Sequence, residues 1–565
     1  MTSPKKIERT RAQESTNAIE KLYISMRHLF SRGFYKPMGI SGETLRKSLL
    51  LLRPEIYGSI AEERVELNGL VYVIERLPEG IEECQFINLT ADEGYKNSHF
   101  KTIIPPKRRR NCYRIDKDQM NIEITRGRSE IYDILTHLTF LFIESHKINE
   151  RVSINDGKDF TREWKNLEAV VLLQKELTNQ ALELTIAHLG NILGRSYSEV
   201  SNVYHTFATE ENPHRFFQLI YWLGKLANNE VHEGEKRSVT FSSVLIEEIG
   251  HHIYGDIWAD NIKKTLLENN LIHRPIHIIS ANMHSVLNSI YAEKALPEEA
   301  KKVKNFELFE LMSAVNSTPL QKAVKDFASK NGLIYLKDTS GTNINVQIID
   351  TNKINGDVTT FTKGSSNEAS PVIIVMDYAF GEQAYETMDE LLKPYNSKNG
   401  KIHLNVQSVS IMGKAGILEG GKGDIMIPSA HIFEGTADNY PFKNELTKED
   451  LEGFGVQVFD GTMVSVLGTS LQNKDLLKFF HDSTWNVIGL EMEGAHYQKA
   501  IQSASKIRGN ISEDVKVRYA YYASDNPLET GATLASGGLG MTGVTPTYAI
   551  TKRIIEQIFN SYKKK

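Results

Sequence analysis

Apolar residues recur at helical spacing over 14–30, as Ile19, Leu22, Tyr23, Met26 and Leu29. They would line one face of a helix with 3.6 residues per turn. A second helix is predicted over 42–52. Over 65–74, Val65, Leu67, Leu70 and Tyr72 alternate with polar residues, which predicts a strand or hairpin. Residues 131–143 read as a buried helix. Helical periods return over 164–189, 195–207 and 213–226, and the polar stretch 228–236 predicts a linker or exposed loop. From 271 onward the rhythm changes. Short apolar runs (276–279, 333–336, 344–349, 372–377, 406–412, 461–467, 487–490, 517–523) alternate with helical segments, the pattern of an α/β fold. The pair 333–336 and 344–349, joined through Asp338-Thr-Ser-Gly-Thr342, reads as a hairpin. A polar insertion runs over 352–370. Residues 372–377 have the composition of a buried parallel strand, followed by a glycine turn at Gly381 and a helix to 392. The strand 406–412 is expected to leave through a tight exit, Gly413-Lys-Ala-Gly416.

A chain of 565 residues is too long for one core. The expected division is an α+β domain over 1–150, a helical domain or continuation over 151–270, and an α/β domain over 271–565. Hydrophobic residues make up 40% and charged residues 24%, as in ordinary soluble domains. The net charge of −5 gives no global pull toward nucleic acid or anionic lipid. No run approaches the roughly 20 apolar residues a membrane span needs, and the polar opening shows no signal peptide. Cys84 and Cys112 are too few for a disulfide framework or a cysteine-based zinc site; a cytoplasmic setting follows, with no cofactor or metal expected. One basic run, Lys107-Arg-Arg-Arg110, reads as a solvated loop, the alternative being a contact with phosphate or an acidic partner. Glu248 and His252 stand at i, i+4, a spacing metal ligands use; without the two-histidine-plus-glutamate pattern of a helical zinc hydrolase the pair reads as structural.

The chemistry concentrates in two stretches. Val487-Ile-Gly-Leu-Glu-Met-Glu-Gly-Ala-His496 is an apolar run ending in two carboxylates, Glu491 and Glu493, before a helix. Tyr521-Tyr-Ala-Ser-Asp-Asn-Pro-Leu528 is a strand that stops at Ser524-Asp525. Both set acids at the carboxyl end of a strand, where open α/β sheets bind ligands. One acid can hold a vicinal diol while the other hands a proton to a leaving group; either acid alone reads equally well as a helix cap.

Glu491-Met492-Glu493-Gly-Ala495 with Ser524-Asp525 resembles the signature of the nucleoside phosphorylase and nucleosidase superfamily. Upstream, Ile411-Met-Gly413-Lys-Ala-Gly416 and Lys422-Gly-Asp-Ile-Met-Ile-Pro428 resemble its glycine loop and Gly-Asp strand, and Ser524-Asp-Asn-Pro-Leu528 is most similar to AMP nucleosidases. The resemblance covers 271–560. It implies a three-layer α/β/α nucleoside phosphorylase-like domain behind a mostly helical N-terminal region. It also implies a homo-oligomer that cleaves the N-glycosidic bond of a small purine nucleoside or nucleotide, without nucleic acid or membrane partners. Asp525 would protonate the leaving base, and Glu493 would hold the ribose hydroxyls and stabilise the cationic sugar. Met492, Glu491, Ser524, Gly413, Gly416, Gly381, Glu382 and Phe433 would line the site. Asn282, His284 and Ser285 would form its first loop, though no acid or arginine stands in 280–286. Superfamily phosphorylases carry an arginine two residues before the first glycine; Ile411 stands there, which favours water over phosphate as nucleophile. A phosphate-dependent phosphorylase and a silent nucleotide-binding regulator are the alternatives.

Overall fold

The computed structural model describes residues 10–155, 157–173, 177–304, 306–314, 317–361, 370–398, 400–436, 438–529 and 539–562. Residues 1–9 of the polar opening and 362–369 of the polar insertion lie outside them. The chain forms two compact units. One comprises Met1–His251 with Ser470–Leu476, the other His252–Thr469 with Leu477–Lys565.

In the first unit, helix Arg11–Arg32 opens on a capping box at Thr10 and Gln13 and ends at Gly33, whose φ of 78° a glycine tolerates. A mixed sheet runs in the spatial order Phe34–Tyr35, Ser238–Phe241, Phe86–Thr90, Gln119–Glu123, Cys112–Arg114 and Thr102–Ile103. Helix α1, Gly127–Val152, is buried along most of its length.

Three expectations for this part of the chain are corrected. The stretch 65–74 is helical from Leu67 to Ile74. Leu67, Leu70 and Val73 share a buried face, and the Glu66 carboxylate accepts the N–H groups of Asn68 and Gly69 at 3.0 and 3.3 Å. The period over 164–189 belongs to two helices, Arg162–Leu173 and Asn179–Leu193, the second capped by Thr178. The stretch 228–236 is exposed from Val231 to Lys236, as expected, and its π-turn, Asn229–Glu233, buries Glu230 against Arg237 at 2.7 Å. The basic run is solvated only at Lys107 and Arg109, since Arg108 and Arg110 fold onto acids of α1. Glu248 and His252 fall on separate helices, because Ser243–Gly250 ends and His252 turns left-handed at φ 56°.

The second unit is mixed α/β. The strands of its main sheet are β1 Ile276–Ser280, β2 Leu333–Leu336, β3 Val346–Asp350, β4 Val372–Met376, β5 Val406–Ile417, β6 Ile425–Phe433, β7 Asn439–Pro441, β8 Val458–Ser465, β9 Val487–Glu491 and β10 Lys516–Asp525. They form one sheet in the order β2-β3-β4-β1-β5-β9-β8-β6-β7, with β10 pairing both β5 and β6. Strands β5, β9, β8, β6 and β10 therefore close into a ring. The predicted hairpin forms between β2 and β3, and β4 lies parallel to β1.

Alternation along the strands separates two cores. Val372, Ile374 and Met376 of β4 pack with α2 (Ile253–Glu268), α4 (Gln383–Leu392) and α5 (Gly494–Gln502). Ile373 and Val375 pack on the opposite face with α3 (Met283–Ala295) and α6 (Val544–Asn560).

One further expectation changes here. Gly413 and Gly416 make no tight exit, since β5 continues through both to Ile417. Gly489 is the glycine the ring requires. A Cβ there would lie 2.4 Å from Met426 Sδ and 2.6 Å from the Gly416 carbonyl, whereas one on Gly413 meets only the Tyr378 ring at 3.6 Å. Gly489→Ala is expected to destabilise the protein by about 1–3 kcal/mol in urea unfolding, with Gly413→Ala close to neutral.

Candidate active site

One edge of β5 pairs with β10. On the other edge two strands arrive from opposite directions. β1 runs parallel and stops with Ser280 opposite Ile411. β9 runs antiparallel, with Gly489 opposite Ile417 and Leu490 opposite Gly416. The carboxyl ends of β1 and β9 thus face each other across residues 412–415, a gap of roughly 16 Å from Ile411 to Gly416 at about 3.3 Å per residue. Ligands of α/β sheets bind where strand ends part in this way.

Two hydrogen bonds link the elements around the gap. The Ser280 and Tyr497 hydroxyls are 3.1 Å apart. The Gly381 N–H, presented by a backbone at φ 55°, donates to Glu493 Oε1 at 2.9 Å. Gly413 lies on the β5 side, with Tyr378 beside it and the Tyr378 and Tyr522 hydroxyls 3.4 Å apart.

Glu491 ends β9 with both oxygens in use. Oε1 accepts the Ser465 hydroxyl, and Oε2 accepts the N–H groups of Glu493, at 2.5 Å, and Gly494. It caps α5 and orients its neighbours. Burial raises its pKa to about 7 against those donors. Glu493 is half-buried, and its carboxylate is held by the backbone of Gly381 and Met492. Burial, reinforced by the Glu491 charge, raises its pKa to about 8. Met492 between them is half-buried.

Across β5, a bulge between Ala415 and Gly416 sets Gly416 opposite Asp525 and skips Ser524; bulges re-aim side chains in this way. Gly416 therefore stands between Leu490 and Asp525. Asp525 is 7% exposed. Oδ1 lies 2.5 Å from the Ser524 hydroxyl, while Oδ2 is buried with no partner among the described residues. Burial raises the Asp525 pKa, opposed by Ser524, Lys414 and Lys422.

The first-loop residues divide. Asn282 caps α3 through the Ser285 N–H at 2.9 Å, and Ser285 is buried with its hydroxyl held by the Asn282 carbonyl and Thr551. Both thus serve the loop's shape. His284 is exposed, and partial desolvation of its ring lowers its pKa, with Asp377 opposing. Glu382 precedes α4 and acts electrostatically on His496, whose pKa burial pushes to about 4. Phe433 meets His496 edge-on at 4.6 Å.

Sequence reasoning passed over Glu434 as a site residue. It follows β6 as Glu491 ends β9 and Asp525 ends β10, and that repeated position was the available signal. Phe433, Ser465 and Glu491 lie in register across β6, β8 and β9. Glu434 is 2% exposed; Oε2 accepts the Leu467 N–H at 3.2 Å, and Oε1 has no partner among the described residues. Burial raises its pKa to about 8. His431 is buried beside it in sequence, with Nε2 3.1 Å from the Tyr521 hydroxyl. Among the described residues, no group of three or more His, Cys, Asp or Glu is placed to hold a metal, and no helix is long and apolar enough to cross a membrane.

An acid whose folded pKa lies above its unfolded value binds more protons when folded, so its contribution to stability falls as pH rises. For Glu434 that loss runs from about 4.5 to about 8. Glu434→Gln keeps an acceptor for Leu467 and is expected to raise the melting temperature at pH 9 while changing it little at pH 5, a contrast read by calorimetry at both values.

No curated protein matches the chain. Solved structures similar to part of it include futalosine hydrolase of Helicobacter pylori strain 26695, with 13% identity and a TM-score of 0.28 over 50% of this chain and 99% of that one. The 5′-methylthioadenosine/S-adenosylhomocysteine nucleosidases of Campylobacter jejuni and Neisseria meningitidis are similar at 11% identity and TM-scores of 0.29, again over 50% of this chain and 99% of theirs. The profile of a family of unknown function, DUF6909, matches residues 43–295 and 291–560. The chain belongs to that family, DUF6909.

Proposed function

We propose that the second unit is an N-ribosyl hydrolase, a nucleosidase acting on a purine nucleoside or nucleotide. The observation that carries this reading is the placing of Glu493 and Asp525 at or just past the ends of β9 and β10, on either side of β5, with Asp525 Oδ2 buried and unpartnered among the described residues. The resemblance of Glu491-Met-Glu-Gly-Ala495 and Ser524-Asp525 to the nucleosidase signature supports it. On this reading the unit is an α/β/α layered domain within a cytoplasmic homo-oligomer and needs no cofactor.

Cleaving the N-glycosidic bond builds positive charge on the sugar and negative charge on the base. Asp525, raised in pKa by burial, protonates a ring nitrogen of the purine as the bond electrons leave with the base. Gly381 fixes one oxygen of Glu493, and the other accepts the ribose hydroxyls. Those donors favour the anion, which then stabilises the cationic sugar. Met492 packs on the sugar face. Water adds to the anomeric carbon, and its released proton replaces the one Asp525 gave. Ile411 is buried in the core, so the position where superfamily phosphorylases carry a phosphate-binding arginine offers no cation. That supports water as the nucleophile.

Chromatography of a panel of purine nucleosides and nucleotides, with and without phosphate, tests the reading. Free base and ribose (or ribose phosphate from a nucleotide) are expected in phosphate-free buffer. Ribose 1-phosphate formed only with phosphate would mean a phosphorylase, and binding without base release would mean a regulator. Asp525→Asn is expected to lose about 10²–10⁴ in rate with the fold intact. In addition, activity needs Glu493 ionised and Asp525 protonated, so kcat/KM should be level between their two pKa values and fall above about 8, where Glu493 titrates. Glu491→Gln, which removes a charge that helps raise that pKa, should move the alkaline fall to lower pH.

A further inference from the structure

The amino end of α1, in the first unit, faces an accumulation of guanidinium groups. Arg110 is 4% exposed; its Nε lies 3.2 Å from Glu130 Oε1 and its Nη2 3.3 Å from Asp133 Oδ2, both acids of the first turns of α1. Arg108 holds Asp133 with Nε and Nη2 at 3.1 and 3.4 Å. Arg76 is buried over the Tyr72 ring, its guanidinium carbon 3.4 Å from the centroid, and donates from Nη1 to the Tyr72 carbonyl at 2.8 Å. Arg126, the residue before α1, is half-buried, and its side chain makes no hydrogen bond or ion pair with a described residue. Its electrostatic surroundings are Glu130 and three further arginines, Arg108, Arg109 and Arg110.

Charge and donors are both left over. The guanidinium groups of Arg76, Arg108, Arg110 and Arg126 face two buried acids, Glu130 and Asp133; a third acid, Glu75, stands 3.8 Å from Arg76. Glu130 Oε2 is already spent on the N–H groups of Thr125 and Arg126, at 3.0 Å each. His137 lies 3.4 Å from Asp133 and adds no charge at neutral pH, because burial holds its pKa at about 4. Two buried donors, Arg110 Nη1 and Arg76 Nε, have no partner among the described residues. Buried donors on charged groups are ordinarily hydrogen-bonded. With Nε and Nη2 of Arg110 turned to the acids of α1, Nη1 is the corner that remains for another acceptor.

We infer that this cluster binds a phosphate-bearing anion, with Arg110 and Arg126 as its contacts and Arg76 and Arg108 supplying the surrounding field. Planar guanidinium groups match phosphate oxygens in pairs, and the amino end of a long helix adds partial positive charge. The acids Glu130 and Asp133 hold the arginines in place rather than filling the site. Inorganic phosphate and the phosphoryl group of a nucleotide share this chemistry.

Calorimetric titration of the full chain with inorganic phosphate and with ADP, at fixed low ionic strength, tests the inference. Arg126→Ala deletes a side chain with no hydrogen bond or ion pair to a described residue, so the fold is expected to survive, as circular dichroism would check. Affinity for phosphate should fall about ten-fold or more in Arg126→Ala and recover partly in Arg126→Lys. Phosphate should also raise the melting temperature of the wild type and not that of Arg126→Ala. The same losses with ADP alone would identify the ligand as a nucleotide phosphoryl group. Wild-type affinity for both anions in Arg126→Ala, or no binding of either by the wild type at millimolar concentration, would overturn the inference.

Discussion

A β-strand has two hydrogen-bonding edges, and the second unit is arranged around how β5 uses its own. One edge is given to β10. The other is divided between β1 and β9, which approach head-on and cannot meet. Because β9 is antiparallel to β5 while β1 is parallel, both present their carboxyl ends to the same unpaired stretch. The ring β5-β9-β8-β6-β10 then brings a third and fourth strand end, those of β6 and β8, beside Glu491. The site exists because the edge is shared, and its side chains are those that happen to terminate each strand.

Acids at such positions are costly to hold. Burial favours the neutral carboxyl, and the pKa values of Glu434, Glu491, Glu493 and Asp525 are all raised for that reason before any other. What distinguishes them is how much of the penalty backbone and hydroxyl donors offset. Glu491 has three such donors and serves as a cap. Glu493 has the backbone donors of Gly381 and Met492, whereas Glu434 has one donor and Asp525 one hydroxyl, each with an oxygen unpartnered among the described residues. The first unit presents the opposite sign of the same problem. There guanidinium groups are buried, and carboxylates of α1 offset only part of their charge. In each unit the incompletely satisfied group marks where a ligand would be bound most strongly.

Local signals were legible wherever the physics was local. The run from Val487 to Glu491 and the glycine after Glu493 define a strand and a helix start without reference to the rest of the chain, and so do β4 and the β2–β3 hairpin. The errors have equally physical causes. Val65 with Leu67 and Leu70 with Tyr72 fit an alternating period while Leu67 and Leu70 fit a helical one, and the capping carboxylate of Glu66 decides between them. Gly413 and Gly416 suggested a turn, but pairing with β10 on one edge carries the strand straight through. Lys107 to Arg110 looked solvated because the acids that draw two of these arginines inward lie about twenty residues away on another element.

The sequence by itself determined the α/β character of the second unit, its β2–β3 hairpin and the strands β1, β4 and β9, because turn chemistry and side-chain period act over a few neighbours. It also determined that Glu491, Glu493 and Asp525 stand at strand ends. Only the tertiary structure decided that β1 and β9 share one edge of β5, that Gly381 reaches Glu493, that Glu434 joins the buried acids, and that Arg110 is enclosed with a donor unspent. Those outcomes depend on hydrogen bonds and burial between residues tens to more than a hundred positions apart, and no local pattern specifies which strand will occupy a given edge.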